Sequence, residues 1–379
     1  MLSIRFLFLF LGFWSSAANA AEFFEPFQTV RQLGMGGVYV FNSNDSQSFM
    51  QNPAYTCFTS GMNFNIFNIQ VGVGDIHAYT DLTEATGQLP TPESFADLDP
   101  FYGKSLGLQA GGFTSVTLPC FGMAGFYSAN THFELQNPAY PKMDTFYVTD
   151  YGVRIGGGFN LSPFMAIGLD VKRVTRKGGP YTFSASELTE LEGDDALSTL
   201  VENNQNEGVG YGLDAGLVTR FDMLPFNPTI SMSWQDVGSM SFVKTKGEDE
   251  PARQKDNFVL GMTIDGSLPL LGMAAGIEYR HITDTGEQIG KKLHIGGELS
   301  LAFLDFRAGL HQGYPTYGVG LNLWIFQLDA ALYSVERGVY PGQTPEQRGQ
   351  IGLMLDLEFD PNFRLVDAGG RKRRLKQRR

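Results

Sequence analysis

Only two cysteines occur among the 379 residues, Cys57 and Cys120, which excludes a disulfide-dense scaffold and a cysteine-rich zinc module. Charge is sparse too: Asp, Glu, Lys and Arg make up 18% of the chain against a typical ~25%. No long charge run precedes the last nine residues, so most of the chain is not of the disordered class. Long apolar runs are missing. Phe6–Trp14 spans about nine residues, and the best later stretch, Leu268 to Ile277, is interrupted by Pro269, Gly272 and Gly276. Both fall well short of the ~20 residues a membrane-spanning helix needs. The five histidines (His77, His132, His281, His294 and His311) lie in no Gly-x-Ser-x-Gly context and no His-x-x-x-His spacing. No catalytic residue, metal ligand or cofactor is therefore assigned.

What is abundant is glycine and phenylalanine, 46 and 31 residues, with aromatics at 13%. The chain opens with a short basic region at Arg5, the apolar stretch Phe6–Trp14, and Ala18-Asn19-Ala20. That pattern reads as a secretory leader over 1–20 with an A-x-A cleavage site, and it implies export to an oxidising compartment. From Gly61 onward the dominant period is two. Ile351, Leu353, Leu355, Leu357 and Phe359 share one face against Gly352, Met354, Asp356 and Glu358. Leu293, Ile295, Gly297, Leu299 and Leu301 likewise oppose His294, Gly296, Glu298 and Ser300. One such segment fits a soluble half-buried strand equally well; a chain full of them is more specific.

The spacing predicts fourteen strands, near 61–75, 105–118, 121–134, 145–160, 164–176, 207–222, 229–242, 257–267, 271–282, 291–302, 304–311, 316–324, 326–335 and 349–359. Short turns alternate with mostly longer polar loops at 76–104, 135–144, 177–206, 244–256, 283–290, 312–315 and 336–347. An even strand number, tight turns on one side and longer loops on the other define an all-β, antiparallel transmembrane barrel, expected in the outer membrane of a Gram-negative bacterium. A mean hydropathy of -0.12 agrees, because only half of each strand would face lipid. Tyr127, Tyr147, Tyr151, Tyr211, Trp234, Tyr279, Tyr314, Tyr317 and Tyr333 lie near strand ends and are candidates for interfacial girdles. In the first strand the apolar face shifts from Met62, Phe64 and Ile66 to Phe67, Ile69, Val71 and Val73, as a bulge would cause.

Three segments carry a family resemblance. Arg31-Gln-Leu-Gly-Met-Gly-Gly37, Asp45 and Asn52-Pro53-Ala54 resemble the N-terminal segment of FadL-type outer-membrane transporters and of the wider superfamily with PorV and TraF-like barrels. Gly318-Val-Gly-Leu-Asn-Leu, Phe326–Tyr333, Pro341-Gly-Gln343 and the last strand resemble the closing hairpin of the PorV/TraF-like branch, and Ile230–Gly238 an internal strand of it. The resemblance implies a fourteen-stranded barrel, with an N-terminal plug over 21–60 and the barrel over 61–359; the basic tail over 360–379 departs from it, since the family pattern ends at the aromatic of the last strand. It also marks Arg31, Gly36, Gly37, Asp45, Asn52, Pro53 and Ala54 as the plug motif. The Gly-rich stretch lacks the Gly-Lys-Ser/Thr ending of a phosphate loop.

On the barrel reading Cys57 and Cys120 meet at the turn-side rim and are expected to pair. The lumen face carries Arg154, Asp170, Lys172, Asp214, Glu278, Arg280, Glu298, Asp305, Arg307, Asp329, Asp356 and Glu358. These are expected to form an interior ion-pair network around the plug, some of them meeting substrate. Residues 75–103 and 178–207 hold acidic side chains and no Lys or Arg, with a short surface helix expected over Ser186–Leu200. Of 28 Lys and Arg, Arg5 lies in the leader and seven in Arg371–Arg379, leaving residues 21–370 with 20 against 40 acidic residues.

Two functions fit. One is passive uptake of hydrophobic or amphipathic, fatty-acid-like small molecules. The other is a non-transport scaffold for a secretion or surface-attachment partner. Expected partners are outer-membrane lipid and lipopolysaccharide, a hydrophobic ligand and, on the second reading, a periplasmic or secreted protein, with no nucleic acid. A continuous apolar lumen favours uptake; a closed polar lumen favours scaffolding.

Overall fold

The computed structural model describes residues 25, 28–41, 46–86, 99–188, 205–222, 226–268, 271–323, 325–338, 340–359 and 365–366. Fourteen strands form one antiparallel ring in chain order. They are β1 (Met62–Gly74), β2 (Ser105–Leu118), β3 (Phe121–Gln136), β4 (Lys142–Ser162), β5 (Met165–Phe183), β6 (Glu207–Arg220) and β7 (Thr229–Gln235), then β9 (Asn257–Leu268), β10 (Leu271–Tyr279), β11 (Leu293–Leu301), β12 (Leu304–His311), β13 (Tyr314–Leu323), β14 (Phe326–Glu336) and β15 (Pro345–Phe359). β15 pairs back onto β1, from Met62 opposite Phe359 to Val73 opposite Gly349, and so closes the sheet. Closure leaves no ring strand with an open edge. Two short strands stand off the ring: β8 (Phe242–Lys246) on β6, and β16 (Leu365–Val366) on the end of β15.

Alternation decides which side chains face out. Leu169, Val171, Leu299, Phe306, Leu310, Ile351 and Leu353 are exposed, while Asp170, Lys172, Arg307, His311, Gln350 and Met354 between them are buried. A large exposed apolar surface wrapped around a closed sheet suits hydrocarbon, where every backbone group must be satisfied within the sheet. The phase change in β1 is a bulge, with the register to β15 shifting between Asn65 and Phe67. Asn63 and Asn65 are buried before it and Asn68 after it, so the extra residue keeps both halves facing correctly.

Several boundaries differ from the sequence reading. β3 and β4 run longer at the loop they share, so the 135–144 loop shrinks to 137–141, and β5 runs on to Phe183. Within the segment read as a 76–104 loop stands helix α3 (Ile76–Thr86), whose Ala78 N–H donates to the Asp75 carboxylate at 3.2 Å. Ala78 and Phe101 pack on Leu106, Leu135, Met143 and Phe183, which bear outward parity and are nevertheless buried. The helix therefore covers the outer wall where β2–β5 end. β7 stops at Gln235 instead of 242, because Asp236, Gly238 and Ser239 take positive φ; the chain then forms β8 where a loop was expected. Tyr333 points inward and is buried, so it belongs to no girdle. Helix is described over Ala185–Leu188, overlapping the start of the expected 186–200 helix; the remainder of that span lies outside the described residues.

Candidate functional site

The N-terminal segment lies against inward-facing side chains from around the ring. It starts with helix α1 (Val30–Gly34), whose Thr29 and Gln32 form a capping box. It passes through helix α2 (Ser48–Gln51) and ends in a 3₁₀ turn over Pro53–Phe58. Small residues in the wall allow the close approach. A Cβ on Gly296 would stand 1.9 Å from the Met35 carbonyl oxygen, and one on Gly168 would stand 2.4 Å from the Ala54 nitrogen. Gly36 itself sits at φ +69 with no room for a side chain against the carbonyls of Ile295 and Leu310.

Three polar clusters hold this segment. In the first, Arg31 grips Glu298 with a two-pronged bond, Nε at 2.9 Å and Nη2 at 2.8 Å. Glu298 also accepts Arg307 Nε at 2.6 Å, and Arg307 reaches Asp329 at 2.6 Å and Asp305 at 3.0 Å. In the second, Arg280 bonds Glu278 at 2.8 Å, Glu25 and the Gly37 carbonyl, while Glu278 accepts the Tyr39 N–H at 2.9 Å. Burial alone would raise the Glu25 carboxyl, but Arg280 and His281 hold it well below the ordinary carboxylate range. His294 Nδ1 lies 2.8 Å and His311 Nδ1 3.3 Å from the Gly36 carbonyl oxygen, and the Gly36 N–H donates to Thr316 at 3.0 Å. In the third, Arg154 bonds Asp170, Asp214 at 3.0 Å and the Met50 carbonyl at 3.0 Å. Lys172 joins it through Asp214 at 2.9 Å and Asp236 at 3.0 Å. Ion pairs this buried are retained only with their partners in place.

The structure thus brings Arg154, Asp170 and Lys172 together in one cluster, Arg31, Glu298, Arg307 and Asp329 in another, and Glu278 with Arg280 in a third. Asn52 caps the 3₁₀ turn through the Ala54 N–H at 3.0 Å and donates to the Met232 carbonyl at 2.9 Å; Pro53 and Ala54 are buried against Gly168. Asp45 lies outside the described residues. Cys57 and Cys120 are joined by a disulfide, tying the end of the segment to the β2–β3 turn. Asp356 accepts Ser46 Oγ at 2.9 Å. Asp150 with Arg176, bonded at 2.8 Å and 2.6 Å, was not singled out from sequence, although extending the β5 alternation past Val174 marks Arg176 as inward. Among the described residues no group of three or more His, Cys, Asp and Glu is arranged to hold a metal ion.

On the loop side of α1 the lumen keeps a polar cavity of ≈ 80 Å³, lined by Gln28, Gln70, Gln109, Asn130, Gln312 and Gln350 among others. Two larger apolar hollows, of ≈ 820 Å³ and ≈ 650 Å³, involve exposed wall residues: Val71, Leu108, Val319 and Ile351 in the first, which also borders Gln109 and Gln350, and Met273, Leu299 and Phe306 in the other.

A closed ring of fourteen strands, apolar outside and ion-paired within, defines a transmembrane β-barrel whose lumen is occupied by its own N-terminal segment. The fold is similar to that of the Ralstonia pickettii toluene transporter TbuX, at 12% identity and a TM-score of 0.51, covering 89% of this chain and 99% of that one. The P. putida toluene transporter TodX matches at 12% identity and 0.47, covering 86% and 96%. A Pseudomonas aeruginosa FadL homologue matches at 11% and 0.40, covering 89% and 99%. No protein-family model and no curated protein matches the sequence. At such identities the likeness to TbuX is one of fold.

Proposed function

We propose that the chain, after removal of its leader, resides in the outer membrane of a Gram-negative bacterium and admits small hydrophobic or amphipathic molecules passively, without catalysis. The closed barrel with an apolar outer belt, built like that of a solved toluene transporter, carries this reading. On this reading the N-terminal segment acts as a plug, and passage takes its displacement or an exit through the wall at the β1 bulge. Outer-membrane lipid and lipopolysaccharide surround the belt.

The test compares cells carrying the barrel with cells lacking it, the lipopolysaccharide leaflet being the barrier. Initial uptake of radiolabelled toluene and of a radiolabelled medium-chain alcohol should rise and should resist an uncoupler. Equal uptake, with the barrel shown to be folded by heat-modifiable migration, refutes the reading. That outcome supports the second one, a scaffold for a periplasmic or secreted protein, which the ion-paired lumen and its small polar cavity favour.

A further inference from the structure

The lumen cavity differs in chemistry from the outer wall. Three of its amides are fixed by their carbonyl oxygens. Gln312 Oε1 accepts the Glu336 N–H at 2.9 Å, and the Tyr333 hydroxyl is shared between Gln109 Oε1 at 2.8 Å and Gln350 Oε1 at 3.3 Å. Their amide nitrogens make no bond to the protein among the described residues and are left to the cavity. The Ser128 hydroxyl and the Asn130 carboxamide, which both donate and accept, are likewise unbonded to protein there, although Ser128 is only 9% exposed. The charged groups at its wall are already committed. Arg348 bonds Glu346 at 2.7 Å, and Glu25 bonds Arg280 and His281.

This arrangement asks for a ligand that offers oxygen acceptors to the three NH₂ groups and a donor to the Asn130 carboxamide oxygen, which can only accept. A hydrocarbon satisfies none of these groups, and burying polar groups unpaired is unfavourable. A carboxylate accepts from the NH₂ groups and from the Ser128 hydroxyl, but it offers no donor to the Asn130 carboxamide oxygen and brings a charge with no free counterion. A hydroxyl both donates and accepts. We infer that the cavity binds an uncharged, hydroxyl-bearing small molecule or headgroup. At ~10–15 Å³ per water-sized group, a cavity of ≈ 80 Å³ takes about five to eight such groups, the size of glycerol. Binding stands on the cavity alone; that the ligand is also the cargo rests on the uptake reading.

The test is saturation-transfer NMR on the full-length protein in an amine-oxide detergent, which carries no hydroxyl group. Glycerol, its anionic counterpart glycerate, and toluene serve as probes. Glycerol should bind saturably, with glycerate at least fivefold weaker. Asn130→Leu and Gln350→Leu should each weaken glycerol at least fivefold, while Val319→Ala on the outer wall leaves it unchanged. Asn130 is half-buried and makes no protein bond, so its replacement tests the site even where Gln350→Leu disturbs folding. No saturable glycerol binding, glycerate binding as well as glycerol, or glycerol binding unaltered in Asn130→Leu would overturn the inference. Because no transport is measured, failure here leaves the uptake experiment to stand or fall separately.

Discussion

Replacing Arg31 by Ala tests whether the N-terminal segment is held by charge. Arg31 and Glu298 have side chains only 13% and 9% exposed, and the bond between them is two-pronged. Orphaning one member of a buried pair typically costs ~3–5 kcal/mol. Here Glu298 keeps Arg307 at 2.6 Å, so the carboxylate is not orphaned and the loss is smaller. About 2 kcal/mol is expected, within the range for a charged hydrogen bond, and it falls on docking of the segment and not on the wall. At ~1.4 kcal/mol per decade, that is about thirtyfold faster exchange of backbone amides in 30–40. Hydrogen exchange read by mass spectrometry measures it, with 304–311 as the wall reference. Arg31→Lys keeps the charge but loses the fork, and should lie between wild type and Arg31→Ala. Protection of 30–40 unchanged within about threefold would refute the reasoning, and so would an equal loss in 304–311.

Other perturbations address other links. Gly168→Val places a side chain where even a Cβ would be 2.4 Å from the Ala54 nitrogen, so the 3₁₀ turn must move; exchange should rise at 53–58, or heat-modifiable migration should be lost. Replacing both Cys57 and Cys120 by Ser opens a link spanning 63 residues of sequence, worth about 4 kcal/mol in the chain-entropy model, and should lower the thermal midpoint with the ring intact in detergent. The pH response of Glu25 has a definite sign. Its folded pKa is depressed, so its contribution is complete above the ordinary carboxylate pKa and is lost as pH falls through the folded value. The ratio of protection between wild type and Glu25→Gln should therefore be flat from about pH 7 to 5 and close only below about pH 4. A ratio already closing between pH 7 and 5 contradicts the assignment.

The ring was legible because its physics is local. A strand with one side in lipid and one in a lumen writes its two faces at alternate positions, and the fourteen segments, the β1 bulge and the inward charges follow from parity. What parity does not contain was missed. Helix α3 is short and acidic, and it is stabilised by packing on Leu106, Leu135, Met143 and Phe183, contacts no local pattern announces. β7 was read too long because Ile230, Met232 and Trp234 alternate cleanly. The strand ends where Asp236 turns toward Lys172 at 3.0 Å and its N–H donates to Asp214 at 2.7 Å, partners set by tertiary structure. Tyr333 is an instructive error. Its parity with Ala331 and Val335 marks it as inward, and only its chemical type suggested a girdle. The amide cavity draws on the N-terminal segment and several separate strands, so no single segment displays it.

The two ends of the N-terminal segment are attached by different physics, and that orders how the lumen can open. From Glu25 to Gly37 the anchors to the wall include ion pairs and bonds to carbonyls: Glu25 with Arg280, Arg31 with Glu298, and Gly36 with His294 and Thr316. Water entering the lumen replaces such bonds one at a time. From Phe49 to Cys57 aromatic and covalent anchors add to the hydrogen bonds that the Met50 carbonyl accepts from Arg154 and that Asn52 donates to the Met232 carbonyl. Phe49 packs with Phe126 and Phe242, Tyr55 lies in a buried cluster with Ala166 and Val218 of the wall, and the disulfide fixes the end. Separating these exposes apolar surface, about 25 cal/mol for each Å² uncovered, and the disulfide does not open at all. Undocking should therefore begin at the charged end and stop short of the 3₁₀ turn. Arg31→Ala should accelerate exchange in 30–40 while 48–58 keeps its protection; equal acceleration in both would mean that the segment moves as one rigid body and that its charges set no order of release.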